Sequence, residues 1–334
     1  MQMIDTIDIL EDDILELSPL LLKTLLKDQS VSIYQGKETN IFWATNDYAE
    51  LGAGFGYYDQ IAPEKITGKY GTIIQPRIKK SREIQQKRIA DKAEVFTPIW
   101  ICNKQNNLID SAWFGRENVF NIETNDRIWI TNESPIEFSD NKTWKDYVMD
   151  TRMEITCGEA PYITSRYDVT TGKFIQPKDR IGLLDRKLRV IGENTTTNEE
   201  WILAAIDAYK NIYAYEWQGD NLLLAREAML WTFSEFYANK FKCEPPKEAI
   251  IEIATIISWN VWQMDGLKCV VPNSCKTEVN TDLFGNTIKT ECHGCKKGNI
   301  HQHNGIYCMV KDWNDIDKKT GEKGAIIPFH TLIK

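Results

Sequence analysis

The chain has 334 residues, 42% of them hydrophobic and 26% charged, which is ordinary for a globular protein of one large or two smaller domains. Its formal net charge of −8 excludes a generally basic nucleic-acid binder, so any contact with DNA must be local. The longest apolar run is too short to span a membrane, and the acidic N-terminal stretch is the reverse of a secretion signal. We therefore expect a cytoplasmic protein whose eight cysteines are reduced thiols or metal ligands.

Residues 1–92 are predicted to form a mixed α+β region. Ser18 followed by Pro19 is a typical helix start, because serine caps free N–H groups and proline fits the first turn. Asn40 to Thr45 is predicted to form a strand.

Pro76 to Lys92 is the one strongly basic segment. Isoleucines are interleaved with the basic residues, so the pattern predicts a helix with a buried apolar face and an exposed positive face. Such a face is often simply solvated, and the functional alternative is a contact with the phosphate backbone of DNA. The candidate DNA-binding residues are Arg77, Lys79, Lys80, Arg82, Lys87 and Arg88. A second, weaker basic cluster follows at residues 180–189.

Arg152 to Ile163 is predicted to be a strand that leads into a small-residue turn. The turn, Cys157 to Ala160, has small side chains that allow a ligand to lie against the backbone. About fifty residues later, Tyr213 to Glu216 is predicted as a second strand that ends in a carboxylate and is followed by a helix. Nucleoside-binding α/β folds use a carboxylate at this place to hold ribose hydroxyls. The two elements together predict a nucleoside pocket.

These motifs, with Phe96-Thr97-Pro98 upstream, resemble the amino-methylating DNA methyltransferases of restriction-modification systems, which use S-adenosylmethionine. Glu154 to Ala160 matches the family's first motif except at Ile155, where proline is usual, and at Ala160, where the second glycine is usual. A methyl group at Ala160 is expected to crowd a close ligand unless the loop is displaced. The resemblance implies a Rossmann-like S-adenosylmethionine methyltransferase core over residues 93–268. It also implies that the cofactor is bound by Phe96, Thr97, Pro98, Glu154, Thr156, Cys157, Gly158, Glu159, Glu216 and Asp265.

Two later stretches bear on the same resemblance. Asn260 to Leu267 looks like the family's third motif, a strand whose terminal acid, here Asp265, faces the adenine amino group. Pro245-Pro246 lacks both the amide or short acid and the aromatic residue of the family's catalytic signature. The pair stands before a predicted helix, where proline is common, so we assign it no catalytic role. Asn221 to Tyr237 is predicted as a long helix whose apolar stripe faces the core.

Residues 269–310 are predicted to be a small Cys- and His-rich insertion, after which residues 311–334 return to the core. Cys292 and Cys295 have the spacing of a zinc half-site, and two further cysteines could complete four thiolate ligands. Cys269 or a histidine could replace one of them, and free thiols are the alternative. Four protein ligands leave no open position, so we expect a structural zinc site. The candidate ligands are Cys275, Cys292, Cys295 and Cys308.

The family's catalytic signature, Asp or Asn-Pro-Pro-aromatic, occurs nowhere in the chain. In the family this loop holds the flipped adenine and accepts a hydrogen bond from its amine. We therefore predict the cofactor-binding part of an adenine-N6 DNA methyltransferase, with no catalytic residues of its own and inactive alone. The predicted partners are DNA and a second polypeptide that carries the catalytic loop or acts as a restriction or specificity subunit.

Two other functions compete with this prediction. A non-catalytic, zinc-containing DNA-binding or interaction subunit could keep the same fold without methyl transfer. The loss of the second glycine and of the catalytic loop favours it. A small-molecule methyltransferase is disfavoured by the Phe-Thr-Pro motif.

Overall fold

The structure is a computed structural model that describes residues 7–92, 94, 97–139, 141–281, 287–318 and 320–333. Within these residues the chain is mixed α/β, with α-helices and four small sheets, which confirms the predicted class. The narrower assignment to a Rossmann-like core stays a prediction. The helices are α1 (Glu11–Leu17), α2 (Pro19–Leu26), α3 (Gln29–Gln35), α4 (Arg82–Lys92), α5 (Ile99–Phe114), α6 (Trp144–Met149), α7 (Leu183–Asn194), α8 (Asn198–Lys210), α9 (Gly219–Phe241), α10 (Lys247–Asn260) and α11 (His293–Lys297). The strands are β1 (Asn121–Glu123), β2 (Trp129–Thr131), β3 (Arg152–Glu154), β4 (Ile212–Glu216), β5 (Val261–Gln263), β6 (Glu278–Thr281), β7 (Thr287–Thr290), β8 (Met309–Ile316) and β9 (Lys323–Pro328).

A three-stranded parallel sheet in the order β3-β4-β5 organises the site. Glu154 at the end of β3 pairs with Ala214, and Glu216 at the end of β4 pairs with Gln263 of β5. The carboxyl ends of parallel strands meet at one edge of a sheet, so both glutamates lie at that edge. The strands predicted to begin near Arg152 and to end at Glu216 are therefore confirmed. The other three sheets are antiparallel pairs: β1-β2, β6-β7 and β8-β9.

Helix α9 is central to the main hydrophobic core and contacts α2, α7, α10, β4 and β5. It begins at Gly219, directly after β4, where a Cβ would lie 2.1 Å from the carbonyl oxygen of Phe42. Only glycine allows this close approach. The predicted core stripe is confirmed, since Leu223, Leu224, Met229, Leu230 and Phe233 are all buried. Neither α9 nor any other helix in the described part of the chain combines enough length and apolar character to cross a membrane.

The strand predicted over Asn40 to Thr45 is wrong, because the segment forms only isolated bridges. The side-chain carboxamide of Gln263 binds both main-chain groups of Phe42. Its Oε1 accepts from the Phe42 N–H at 3.1 Å, and its Nε2 donates to the Phe42 carbonyl at 2.8 Å. A side chain from β5 thus occupies the place of a neighbouring strand. The segment is tied to the sheet without joining it.

The basic segment also folds differently from the prediction. Its helix, α4, exposes Ile84 and Ile89 and buries Arg88, the reverse of the predicted amphipathic pattern. Arg88 is 2% exposed and forms ion pairs with Glu94 at 2.6 Å and Asp220 at 2.9 Å. A buried guanidinium is tolerated only when it is paired and hydrogen-bonded. Carboxylates outside the helix, one nearby and one 132 residues away, therefore override the local periodicity.

Much of the second basic cluster is buried as well. Arg186 pairs with Asp110 at 2.5 Å, and Arg180 pairs with Glu235 at 2.6 Å. The Lys187 ammonium donates to main-chain carbonyl oxygens. These three cations hold helices and loops together, so they do not present charge to a nucleic acid.

Candidate functional site

A cavity of about 930 Å³ lies at the carboxyl ends of β3 and β4. Its volume falls within the range of about 300–1,000 Å³ that is typical of small-molecule sites. Pro98, Glu159 and Asp265 do not line it, and Phe96 lies outside the described residues. The cavity nevertheless brings together the upstream motif, the turn and both strand ends. The predicted cofactor residues that line it are Thr97, Glu154, Thr156, Cys157, Gly158 and Glu216.

The turn after β3 places a main-chain N–H group beside the carboxylate at the end of β4. Thr156, Gly158 and Ala160 have φ angles of 48°, 54° and 58°, in the left-handed region. For threonine and alanine this conformation costs energy, so the surrounding fold must hold the turn in place. The Gly158 N–H donates to Oε2 of Glu216 at 2.9 Å. This bond joins the predicted turn to the predicted strand-end carboxylate.

Ala160 occupies the position where the family that the sequence resembles has its second glycine. Its backbone adopts a conformation that glycine favours, yet its methyl group is fully buried in the main hydrophobic core. Ala160 is not among the residues that line the cavity. The methyl group therefore does not crowd the cavity, which is the case that the expectation allowed for if the loop is displaced.

Two buried carboxylates face the cavity. Glu216 accepts a second main-chain hydrogen bond, from the Gln218 N–H at 3.3 Å, and burial raises the pKa of Glu216. Glu154 accepts from the Ile163 N–H at 3.2 Å. Burial raises the pKa of Glu154 well above its ordinary value, and repulsion from Glu216 acts in the same direction. Glu154 therefore takes up a proton at a higher pH than a free glutamate does, which lets it donate as well as accept.

The end of the cavity near α4 carries both signs of charge. Lys92 pairs with Asp47, and Arg88 donates to the same carboxylate at 2.8 Å. Although burial acts to raise the pKa of Asp47, the two cations hold it below its ordinary value. Burial lowers the pKa of Lys92 in turn. A ligand that has both an ammonium and a carboxylate group would find an opposite charge for each at this end.

The cavity has an aromatic wall that sequence reasoning missed. Trp217, directly after Glu216, lines the cavity together with Tyr57. The indole Nε1 donates to the hydroxyl of Tyr57 at 3.1 Å, which fixes the two rings relative to each other. An indole next to a carboxylate suits a purine nucleoside, because the base can stack and the ribose hydroxyls can donate. The signal in the sequence is the tryptophan adjacent to the predicted ribose-binding acid.

Two of the predicted cofactor residues have other partners. Glu159 accepts from the main-chain N–H of Arg77 at 2.6 Å. Asp265 accepts from the Leu267 N–H at 3.1 Å and pairs with Lys268 at 3.2 Å. Glu159 therefore joins two distant segments, Asp265 stabilises its own turn, and neither lines the cavity.

The residues predicted to contact DNA do not form one surface. Lys80 and Arg88 are buried in ion pairs, so the prediction is wrong for these two. Lys79 forms an ion pair as well, with a carboxylate of the N-terminal segment. Arg82 and Lys87 are exposed on α4, and Lys87 lines the cavity. Of the predicted DNA-binding residues on α4, Arg82 and Lys87 are therefore the two that are exposed for a phosphate contact, and Lys87 is the one beside the cavity.

A second site, separate from the cavity, is a cluster of three cysteines and one histidine. The ligand atoms all lie within 4.8 Å of one another, and the sulfur atoms are 3.5, 3.7 and 3.5 Å from Nδ1 of the histidine. In a tetrahedral site, sulfur and nitrogen ligands about 2.3 and 2.0 Å from zinc are about 3.5 Å apart. The cluster could therefore hold a metal ion such as zinc. Its members are Cys275, Cys292, Cys295 and His303.

The prediction that Cys308 is the fourth ligand is wrong, and His303 takes that place. Cys308 is fully buried in a separate apolar cluster, where its thiol donates to the carbonyl oxygen of Gln263 at 3.3 Å. It directly precedes β8, whose apolar residues Met309 and Val310 indicate a core position. We call residues 269–308 the Cys3His lobe, of which 269–281 and 287–308 are described.

Comparisons with protein-family models, curated proteins and solved structures find no match to this chain. The resemblance to amino-methylating DNA methyltransferases is carried by sequence motifs, and these comparisons do not test it. The function is therefore best argued from the geometry and chemistry of the cavity and the Cys3His cluster.

Proposed function

We propose that the chain binds S-adenosylmethionine in the cavity and is the cofactor-binding part of an adenine-N6 DNA methyltransferase of a restriction-modification system. The observation that carries the proposal is the hydrogen bond from the Gly158 N–H to Glu216 Oε2, at 2.9 Å in the cavity wall. It joins two motifs that lie 58 residues apart and that both predict the same nucleoside pocket.

Each part of the cofactor has a matching group in the cavity. The ribose hydroxyls would donate to Glu216, and the adenine would stack against Trp217. The amino-acid end would meet the opposite charges of Asp47 and Lys92. The positive sulfonium would be favoured near the carboxylate of Glu154 when that group is ionised. These matches support a sulfonium nucleoside over a neutral one.

A second polypeptide is proposed to supply the catalytic loop. Strand β3 is an edge strand that pairs, among the described strands, with β4 alone. Its side chain Met153 is 37% exposed, and the following Ile155 is 64% exposed and lines the cavity. A partner strand that adds to this edge in parallel orientation would end beside the cavity. That position suits an Asn-Pro-Pro-aromatic loop.

We propose zinc as the ion of the Cys3His lobe, with a structural role. Thiolate and imidazole ligands at tetrahedral spacing favour zinc, and four protein ligands leave no position open for a substrate. Metal binding by such a lobe also supplies folding free energy, since the ligands converge only when the chain is ordered.

Transfer of labelled methyl groups to duplex DNA tests the proposed function. The adenine amine is a poor nucleophile because its lone pair is delocalised into the ring, so transfer needs an acceptor and in-line positioning. We expect no turnover by the purified chain alone, and turnover once a partner with the Asn-Pro-Pro-aromatic loop is added. Robust incorporation without a second polypeptide would show that the chain has its own catalytic loop.

The second candidate is a non-catalytic subunit that uses the Cys3His lobe for DNA binding or protein interaction. The absence of the catalytic signature from the sequence favours it. This candidate predicts that the chain has no affinity for S-adenosylmethionine. Cofactor binding therefore separates the two functions.

A further inference from the structure

One hydroxyl group connects the cavity to the Cys3His lobe. Oη of Tyr57 accepts from Nε1 of Trp217 at 3.1 Å and from Nδ2 of Asn273 at 2.9 Å. Tyr57 and Trp217 line the cavity, whereas Asn273 belongs to the lobe and precedes the ligand Cys275 by two residues. The ring of Trp217 is thus held, through Tyr57, by a residue of the lobe.

The position of Asn273 depends on the order of the lobe. Its φ of 55° is in the left-handed region, which asparagine tolerates but which local bonds must maintain. The neighbouring Ser274 supplies one such bond, because its Oγ accepts from the Ile306 N–H at 2.9 Å. This bond joins the segment that carries Cys275 to the segment that carries His303.

The four ligands tie the same two segments together with a third. Cys275 lies on the first segment, Cys292 and Cys295 at the start of α11, and His303 on the last. Packing is close where the first and last segments meet, since a Cβ on Gly305 would lie 3.1 Å from the Cys275 sulfur. An ion bound by these ligands would therefore fix the segment on which Asn273 stands.

We propose that Asn273 and Tyr57 are positioning residues through which the metal-bound Cys3His lobe holds Trp217 in place, so that metal binding and nucleoside binding are thermodynamically linked. The proposal rests on the proposed function in taking the cavity as the nucleoside site. Linkage is reciprocal, so a nucleoside must raise the metal affinity by the same factor by which the metal raises nucleoside affinity.

The first experiment measures the affinity for S-adenosylhomocysteine by calorimetry, with full-length protein that is either zinc-loaded or stripped by a chelator. We expect stripping to weaken binding roughly fivefold or more, the usual scale of such coupling. Zinc titration with and without S-adenosylhomocysteine should show the reciprocal change. Equal affinities in the loaded and stripped forms would overturn the proposal.

The second experiment separates coupling from loss of the lobe. Asn273→Ala should keep one zinc per chain and still weaken S-adenosylhomocysteine binding as stripping does, because it removes only the link to Tyr57. Tyr57→Phe should have the same effect, and the double variant should lose no more. Asn299→Ala, whose Oδ1 accepts from the His301 N–H in the same lobe, is the matched control and should bind normally. Normal binding by Asn273→Ala would also overturn the proposal.

Hydrogen exchange distinguishes failure of the coupling from failure of the proposed function. Exchange around Tyr57 and Trp217 should slow when zinc is added to the wild type, but not when it is added to Asn273→Ala. If the wild type shows this pattern and binds no S-adenosylhomocysteine, the positioning of Trp217 by the lobe holds, whereas the proposed function and the linkage to nucleoside binding fail. If S-adenosylhomocysteine binds but the exchange of main-chain amides around Tyr57 and Trp217 is the same with and without zinc, the coupling fails and the proposed function stands.

Discussion

The cavity and the Cys3His lobe satisfy their polar groups in opposite ways. In the cavity, Glu154 and Glu216 accept hydrogen bonds from main-chain N–H groups, and Asp47 pairs with two cations. In the lobe, three thiols and one imidazole converge on one another at the spacing of metal ligands. The carboxylates of the cavity find their partners within the chain, whereas a metal ion bound by the lobe would be the common partner of its four ligands. Substitutions in the two regions should therefore have different consequences.

The largest effect is expected in the lobe. Changing Cys292 and Cys295 together to serine should reduce the zinc content from about one ion per chain to none, because half of the ligands are lost. His303→Ala should also lower it, whereas Cys308→Ser should retain the ion, since Cys308 faces the carbonyl of Gln263. Metal analysis by mass spectrometry checks all three variants. Wild-type protein that is ordered at the lobe but free of zinc would contradict this account.

The next largest effect is a loss of folding stability, expected when the buried ion pairs of Arg88 are removed. Arg88→Met should lower the free energy of unfolding by about 3–5 kcal/mol, because it removes the guanidinium that forms the shortest ion pairs with the buried carboxylates of Glu94 and Asp220. Lys87→Met, one residue earlier on the exposed side of α4, is the matched control and should change stability little. Denaturant unfolding monitored by circular dichroism measures both. Equal stability of the two variants would show that the buried network contributes little.

The smallest effect is the pH dependence of ligand affinity in the cavity. Glu216 must be ionised to accept from two ribose hydroxyls, and burial raises its pKa, so its charge is lost at a higher pH than that of a free glutamate. Affinity for S-adenosylhomocysteine should fall as pH drops through the raised pKa of Glu216, by at most about tenfold per pH unit. Calorimetry from pH 8 to pH 5 measures the profile. Glu216→Gln should remove the dependence on this carboxyl, and tighter wild-type binding at low pH would refute the assignment.

The sequence predicts best those parts of the site that are built from local patterns. The strand before Thr156, the small-residue turn and Glu216 at the end of β4 all follow from alternation, turn residues and a strand-end acid. Each of these signals is contained within a few consecutive residues. The stripe of α9 that faces the core is predictable for the same reason.

The parts that depend on distant partners are not predictable in this way. Arg88 looks like a surface cation until Glu94 and Asp220, up to 132 residues away, are brought beside it. His303 and Cys308 both fit a zinc pattern by spacing, and only the packing of β8 against the core decides between them. Side chains that replace secondary-structure bonds, as Gln263 does at the predicted N-terminal strand, leave no trace in the local pattern.

Calorimetry with S-adenosylmethionine tests the central claim most directly. The wild-type chain should bind one equivalent, and Glu216→Ala should weaken binding by roughly 1–3 kcal/mol, the cost of leaving polar partners unpaired. Asp265→Asn is the informative control, because Asp265 does not line the cavity and its substitution should leave the affinity nearly unchanged. Failure of the wild type to bind, or an unchanged affinity in Glu216→Ala, would contradict the assignment of this cavity as the cofactor site.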